Sequence, residues 1–270
     1  MKVIFYNGDF IDERKINISF NNRAFNYGDG FFETIKVINS RPFNLNAHLN
    51  RINYTAKILN FNKIDVKTIE NRFHEIITLN NIAHGVIKLH VSRVEGGLYL
   101  PNSNNFDILI SIKSDTAFQI NKPINLCFFK DLFKPNHNLS NLKSLNSLSY
   151  VLAAIFAKNK KFDDAILFNS DFKIIETSNS NIFIVNNKNI YTPPLQDGCL
   201  NGTMKNWLEN YNEIKEKSLT DYDVINADEV FISNARTGIT SVRKIENTVY
   251  NNINLADKLQ NKLINLSWDL

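Results

Sequence analysis

Val86-Ile87-Lys88-Leu89-His90-Val91-Ser92-Arg93 alternates apolar and polar side chains with a period of two. That pattern predicts a strand with Ile87, Leu89 and Val91 on one face and Lys88, His90 and Ser92 on the other. The apolar face should enter a core and leave Lys88 and His90 toward a cleft, while Arg93 falls on the core-side parity. Upstream the period changes. Leu45, Leu49, Ile52, Ala56 and Leu59 recur at helical spacing and predict a helix over 46–59; Val66, Ile69, Phe73, Ile76 and Ile77 predict a second. Strands are expected at 3–6, 16–20, 31–38 and 106–113, with a turn at Asn26-Tyr27-Gly28-Asp29-Gly30. Helices packed on an antiparallel sheet make an α+β unit.

Between 114 and 123 the pattern weakens and turns polar. We therefore expect a small N-terminal α+β domain over 1–115, a linker over 116–123 and a larger domain over 124–270. In the larger domain we expect a strand at 124–129, a loop carrying Lys143, a helix at 148–158 and short strands through Val185. A helix at 204–217, strands around Phe231 and Val242 and a terminal helix from Leu255 should follow.

The chain has 270 residues, 43% of them hydrophobic, enough to bury a sizeable core. Its 31 Lys and Arg against 27 Asp and Glu leave only +4, dispersed along the chain. A nucleic-acid partner would call for a patch or stripe, so none is expected. Cys127 and Cys199 suit neither a disulfide framework nor paired metal ligands, which points to a reducing compartment and no metal. The first residues turn polar too soon for a signal peptide, and no apolar run approaches the ~20 residues of a membrane span. A cytoplasmic protein acting on a small anionic molecule, away from membranes, is expected.

Three stations carry chemistry. Lys143, in Asn141-Leu142-Lys143-Ser144-Leu145-Asn146, offers an amine. Glu176 lies between Ile174-Ile175 and the apolar run 182–185, near a strand end facing a core, where an unpaired carboxylate is costly. Gly202-Thr203 immediately precedes a predicted helix, whose N-terminal amides and Thr hydroxyl can hold an anion. His48 and Arg51 share one helical face, and the planar guanidinium suits a phosphate. Each has a plain structural alternative: a surface lysine, a turn carboxylate, an ordinary Thr cap, a solvated arginine, and for His90 a hydrogen-bonded sheet histidine. Together, an amine to hold an aldehyde, a partner for a pyridine nitrogen and donors for a phosphate describe a pyridoxal phosphate site.

The chain resembles the class IV aminotransferases, the fold-type IV pyridoxal phosphate enzymes. The resemblance runs from Asn22-Arg23-Ala24-Phe25-Asn26-Tyr27-Gly28-Asp29-Gly30-Phe31-Phe32-Glu33-Thr34-Ile35 through His48-Leu49-Asn50-Arg51 to Ala227-Asp228-Glu229-Val230-Phe231-Ile232-Ser233-Asn234-Ala235. It implies a two-domain α+β fold, with a small α/β N-terminal domain and a larger domain built on a β-barrel-like sheet with flanking helices. It further implies Lys143 as the Schiff-base lysine, Glu176 as the pyridine-nitrogen partner, and Arg51, Gly202 and Thr203 as phosphate ligands beside Asn234-Ala235. A homodimer, with the active site between the two domains and near the partner chain, is implied as well.

Within the family, Lys143-Ser144-Leu145-Asn146 and Asn201-Gly202-Thr203-Met204-Lys205 are most similar to the 4-amino-4-deoxychorismate lyase branch. That resemblance implies conversion of 4-amino-4-deoxychorismate to 4-aminobenzoate and pyruvate, a step of folate biosynthesis, with Lys143 as general base. The alternative is an amino-acid aminotransferase of branched-chain or D-amino-acid type. One departure stands out. Lyases of this branch often read Gly-Gly-Arg-Gly-Tyr where this chain has Val94-Glu95-Gly96-Gly97-Leu98-Tyr99, so Tyr99 remains and the loop arginine is missing. Lys88, His90, Tyr99 and Arg236 are the candidates to bind the substrate.

Overall fold

In the computed structural model, which describes residues 2–268, the helical and strand periods resolve into two compact units. The first holds the chain up to Ala117 together with Lys143–Asn146 and the last described residues, Ser267 and Trp268; the second holds Phe118–Leu142 and Ser147–Leu266.

The first unit contains β1 (Val3–Tyr6), β2 (Asp9–Asp12), α1 (Arg23–Tyr27), β3 (Gly30–Ile38) and β4 (Arg41–Pro42). It continues with α2 (Leu45–Ile58), α3 (Val66–Leu79), β5 (Gly85–Arg93) and β6 (Phe106–Ser114). Its strands form an antiparallel sheet in the order β2-β1-β6-β5-β3-β4. Ile87, Leu89 and Val91 are fully buried among Ile52, Phe73 and Ile76 of α2 and α3. Lys88, on the opposite pleat, is exposed.

Two expectations fail here for local reasons. The second strand is not 16–20 but β2, because Asn7 and Gly8 take positive φ (48° and 113°) and fold β1 straight back on itself. Asp12 then accepts the Arg14 amide and opens a 3-10 turn over Glu13–Lys15, which carries 16–20 away from the sheet. Asn26 and Tyr27, expected in a turn, instead end a helix, α1: Asn22 Oδ1 accepts the Ala24 and Phe25 amides, and Gly28 at φ 63° ends the helix.

The second unit contains β7 (Ile124–Lys134), α4 (Leu148–Asn159), β8 (Asp164–Asn169), β9 (Ile174–Thr177), β10 (Asn181–Asn186) and β11 (Asn189–Thr192). Next come α5 (Thr203–Tyr211), β12 (Ile214–Glu216), α6 (Asp221–Ile225), β13 (Glu229–Asn234), β14 (Gly238–Ile245), β15 (Thr248–Val249) and α7 (Asn254–Trp268). The path β10-β13-β14-β7-β8-β9 closes on itself through the Asn181–Glu176 pairing, making a barrel. Leu126, Ile166, Ile174, Ile182, Val230 and Val242, one from each barrel strand, meet in a single buried cluster. The barrel-like core implied by the family resemblance is therefore present, and closure leaves these six strands without free edges.

The helix expected over 204–217 is shorter. Asn212 turns extended (φ −146°, ψ 147°) and its side chain takes the Leu208 carbonyl, after which Ile214–Glu216 runs parallel to β11.

Candidate active site

Lys143 owes its place to two glycines. The segment 143–145 pairs with the start of β3: the Phe32 amide donates to the Lys143 carbonyl (3.0 Å) and the Leu145 amide to the Gly30 carbonyl (3.0 Å). A Cβ on Gly30 would sit 2.3 Å from the Val91 carbonyl oxygen, and one on Gly28 2.5 Å from Asn146 Oδ1. Larger residues would prevent that approach. The Lys143 ammonium lies 4.5 Å from the centre of the Phe32 ring. Phe32 is paired across β3 and β5 with His90, their rings stacked at 6.1 Å and 21°. His90 Nδ1 is buried without a hydrogen-bond partner, and burial with help from Lys88 pushes the imidazole below its ordinary pKa. Thr34, cross-strand partner of Lys88, completes this side of the strand pair.

Glu33, on the other pleat of β3, organises α2. It accepts both Arg51 Nε and Nη2 at 2.6 Å and contacts His48 Nδ1 at 2.7 Å, all three side chains being buried. Burial opposes ionisation of Glu33, but the Arg51 charge and the hydrogen bonds from Arg51 and His48 outweigh it and hold the carboxyl well below the usual range. Burial pushes His48 down, Glu33 pulls against it, and Arg51 and Lys143 add to the depression. The neutral imidazole therefore donates Nδ1–H to the carboxylate. Glu33 thus fixes the plane in which Arg51 presents its guanidinium.

The loop bearing Tyr99 is held from below. Arg23 Nη1 donates to the carbonyls of Gly96, Gly97 and Leu98 (3.0, 3.3 and 2.6 Å), and its Nε to Asp29 (2.8 Å). Arg93 also binds Asp29 (3.0 Å) and donates to the Leu59 carbonyl, so it is a buried structural residue. Tyr99 is 90% exposed, flanked by exposed Leu98 and Leu100, and its ring lies 5.7 Å from that of Tyr27.

In the second unit, Glu176 is 3% exposed on β9. It accepts Lys134 Nζ (2.5 Å) and Tyr150 Oη (2.9 Å) on Oε1 and the Leu200 amide (2.9 Å) on Oε2. Gly202 is the N-cap of α5 and brings no side-chain acceptor to its first-turn amides. A Cβ there would lie 1.9 Å from Asn181 Oδ1. Thr203 is buried, as is Ser233, whose Oγ has no hydrogen-bond partner. Asn234 shapes the next turn by accepting the Arg236 and Thr237 amides (2.9 Å each) and donating to Ser180 Oγ (2.9 Å). Ala235 is half-buried in this turn and Arg236 is exposed.

The stretch 30–245 matches the model of the amino-transferase class IV family. The chain belongs to the class IV aminotransferases. A "Putative branched-chain-amino-acid aminotransferase" of Methanocaldococcus jannaschii is 30% identical, over 99% of this chain and 98% of its own length. A D-alanine aminotransferase of Staphylococcus haemolyticus is 26% identical, over 91% and 90%. Among solved structures, a "Putative 4-amino-4-deoxychorismate lyase" of Legionella pneumophila superposes with a TM-score of 0.86 at 27% identity, covering 95% of this chain and 97% of its own. This class IV enzyme is accordingly dependent on pyridoxal 5′-phosphate, as an aminotransferase or a lyase.

The residues present fit that cofactor. A carboxylate has about four acceptor positions, and three on Glu176 are filled, leaving one for a pyridinium N–H. The unpartnered Ser233 hydroxyl and the first turn of α5 are donors suited to a phosphate. No group of three His, Cys, Asp or Glu among the described residues could hold a metal ion, and no helix among them is long and apolar enough to cross a membrane. Three site-shaping residues escaped the sequence: Glu33, Lys134 and Tyr150. Glu33 had left a signal, an acid at core-facing parity inside Phe31-Phe32-Glu33-Thr34-Ile35. Lys134 and Tyr150 had not, since their partner is 42 and 26 residues away.

Proposed function

We propose that this class IV enzyme is a lyase that converts 4-amino-4-deoxychorismate to 4-aminobenzoate and pyruvate. The observation that carries this reading is the aromatic lining beside Lys143. Phe32, with His90 stacked 21° from its plane, gives the Lys143 amine an aromatic neighbour suited to a ring-shaped substrate, and His90 Nδ1 is a buried polar atom without a partner in that lining. Lys88, Tyr99 and Arg236 are proposed to complete recognition of the anionic substrate. The likeness to the Legionella structure supports the same choice.

Pyridoxal phosphate, when bound, supplies an aldehyde for the substrate amine and a sink for the electrons that proton removal leaves behind. Lys143 would hold the cofactor at rest, and its amine is the base that takes the proton from the ring carbon that bears the substrate amine. The bond from the neighbouring ring carbon to the enolpyruvyl oxygen breaks, the ring becomes aromatic, and the enol takes up a proton to leave as pyruvate. Glu176 would receive the pyridine N–H, and Arg51, Gly202, Thr203 and the turn at Asn234-Ala235 would bind the phosphate. Phe32 keeps water from one side of the Lys143 amine.

A second reading, an amino-acid aminotransferase, draws on the Methanocaldococcus and Staphylococcus relatives. Turnover that needs no keto acid favours the lyase; turnover that stops without one contradicts it. Borohydride treatment of the loaded enzyme should fix the cofactor to Lys143, and Lys143→Ala should lose turnover while retaining part of its affinity for the phosphate.

The reading includes a homodimer. On α4, Leu148, Val151, Leu152 and Ile155 are exposed at helical spacing, an apolar stripe of the kind that a second copy covers. Val151→Asp should shift sedimentation toward the monomer, and an unchanged dimer would place the interface elsewhere. The two buried free thiols suit a cytoplasmic setting, and domains over 1–115 and 124–270 joined at 116–123 complete the proposal.

A further inference from the structure

Lys134 ends β7 with its ammonium buried, and each of its three N–H groups has a partner. These are Glu176 Oε1 (2.5 Å), Tyr150 Oη (2.7 Å) and the carbonyl of Ser140 (2.8 Å), three residues before Lys143 in the chain. Tyr150 accepts from Lys134 and passes its own hydrogen to the same Glu176 oxygen (2.9 Å). Oε1 is thereby filled twice, and Oε2, holding only the Leu200 amide, keeps the one remaining acceptor position.

We propose that Lys134 and Tyr150 are positioning residues: by occupying Oε1 they turn Glu176 so that Oε2 serves the cofactor's pyridine nitrogen. The inference rests on Glu176 being the pyridine-nitrogen partner. Its physical basis is that a carboxylate this deeply buried needs fixed donors on its lone pairs, and the donors in place decide which lone pair is left for a ligand. The titratable groups facing Glu176 are Lys134 from β7, Tyr150 from α4 and Cys199 from the loop before α5. Burial, then the nearby Glu176 charge, pushes the Cys199 thiol up to about 12. The same two causes, in the same order, raise the Tyr150 phenol above its ordinary value. Both stay protonated, so Lys134 is the cation and Tyr150 a neutral donor. Removing either donor frees a lone pair on Oε1, and Oε2 is then no longer the single open position.

The test is the affinity for pyridoxal 5′-phosphate and the visible absorption maximum of the loaded enzyme, both at one pH. The holoenzymes compared are native, Glu176→Gln, Lys134→Met, Lys134→Arg and Tyr150→Phe. Lys134→Met should weaken the affinity by about tenfold and shift the maximum. Lys134→Arg should return both most of the way, and Tyr150→Phe should move them in the same direction by less. A merely structural role would lower the melting temperature of these variants without moving the maximum. If Glu176→Gln leaves the maximum and the affinity native, the role of Glu176 falls and this inference falls with it. If Glu176→Gln alters both while Lys134→Met and Tyr150→Phe keep the native values, the inference alone is overturned. Should Lys134→Met fail to fold, the Tyr150→Phe values decide the matter in the same way.

Discussion

Glu33→Gln removes one negative charge from a site where Arg51 and His48 converge on a carboxylate that is 1% exposed. Both Arg51 nitrogens lie 2.6 Å from Glu33 oxygens, so the glutamine must point its amide N–H at a guanidinium N–H, whichever way it is turned. Arg51 is left buried with its bidentate partner gone. Breaking a buried pair from one side costs about 3–5 kcal/mol, and for a chain of this size that corresponds to a fall of roughly 10 °C in melting temperature. The assay is urea unfolding followed by circular dichroism, with Glu33→Gln, Arg51→Met and the double variant Glu33→Leu/Arg51→Met compared with native. The double variant should recover much of the loss, because no unpaired charge remains. Cofactor retention should fall in every variant, since the fork that Glu33 aligns is the proposed phosphate ligand. A loss below about 1 kcal/mol in Glu33→Gln would refute the reasoning, because exposed pairs are worth that little.

Two further outcomes are expected. His48 titrates below its ordinary 6.5, so the unfolded chain binds a proton that the folded chain refuses. Stability should then be complete above pH 6.5 and decline as pH falls below it, by up to about 1.4 kcal/mol per pH unit, with His48→Gln flattening that decline; urea midpoints at pH 7.5 and 5.5 check this, and an equal decline in the variant would rule His48 out. Asp29→Asn removes the carboxylate shared by Arg23 and Arg93. Faster proteolytic cleavage in the exposed 98–100 segment should follow, with an altered KM and a largely unchanged kcat, whereas native cleavage rates would show that Arg23 holds the loop without Asp29.

Residues whose roles depend on their own neighbours in the chain were legible in the sequence. The period of two in β5 placed Ile87 and Leu89 in the core, and helical spacing marked α2 and α3, because burying one face needs only a local repeat. The β2 hairpin leaves no mark on apolar spacing, but it was written in the Asn7-Gly8 pair, the two residue types that most readily take the positive φ a two-residue hairpin turn needs. Barrel closure was harder still. It rests on Asn181 meeting Glu176 across a four-residue turn and on β7 running parallel to both β8 and β14, none of which strand composition encodes. The same holds for chemistry. Lys143, Glu176 and Gly202-Thr203 carry short sequence contexts, whereas Lys134 and Tyr150 are marked only by what they touch.

The most direct test of the proposed lyase is the release of 4-aminobenzoate and pyruvate from freshly generated 4-amino-4-deoxychorismate by the pyridoxal-loaded enzyme, with Lys143→Ala as control and no keto acid present. Equimolar formation of both products by the native enzyme, and none by the variant, is expected. An enzyme that carries bound pyridoxal phosphate, releases neither product, and moves amino groups from an amino acid to an added keto acid would contradict it.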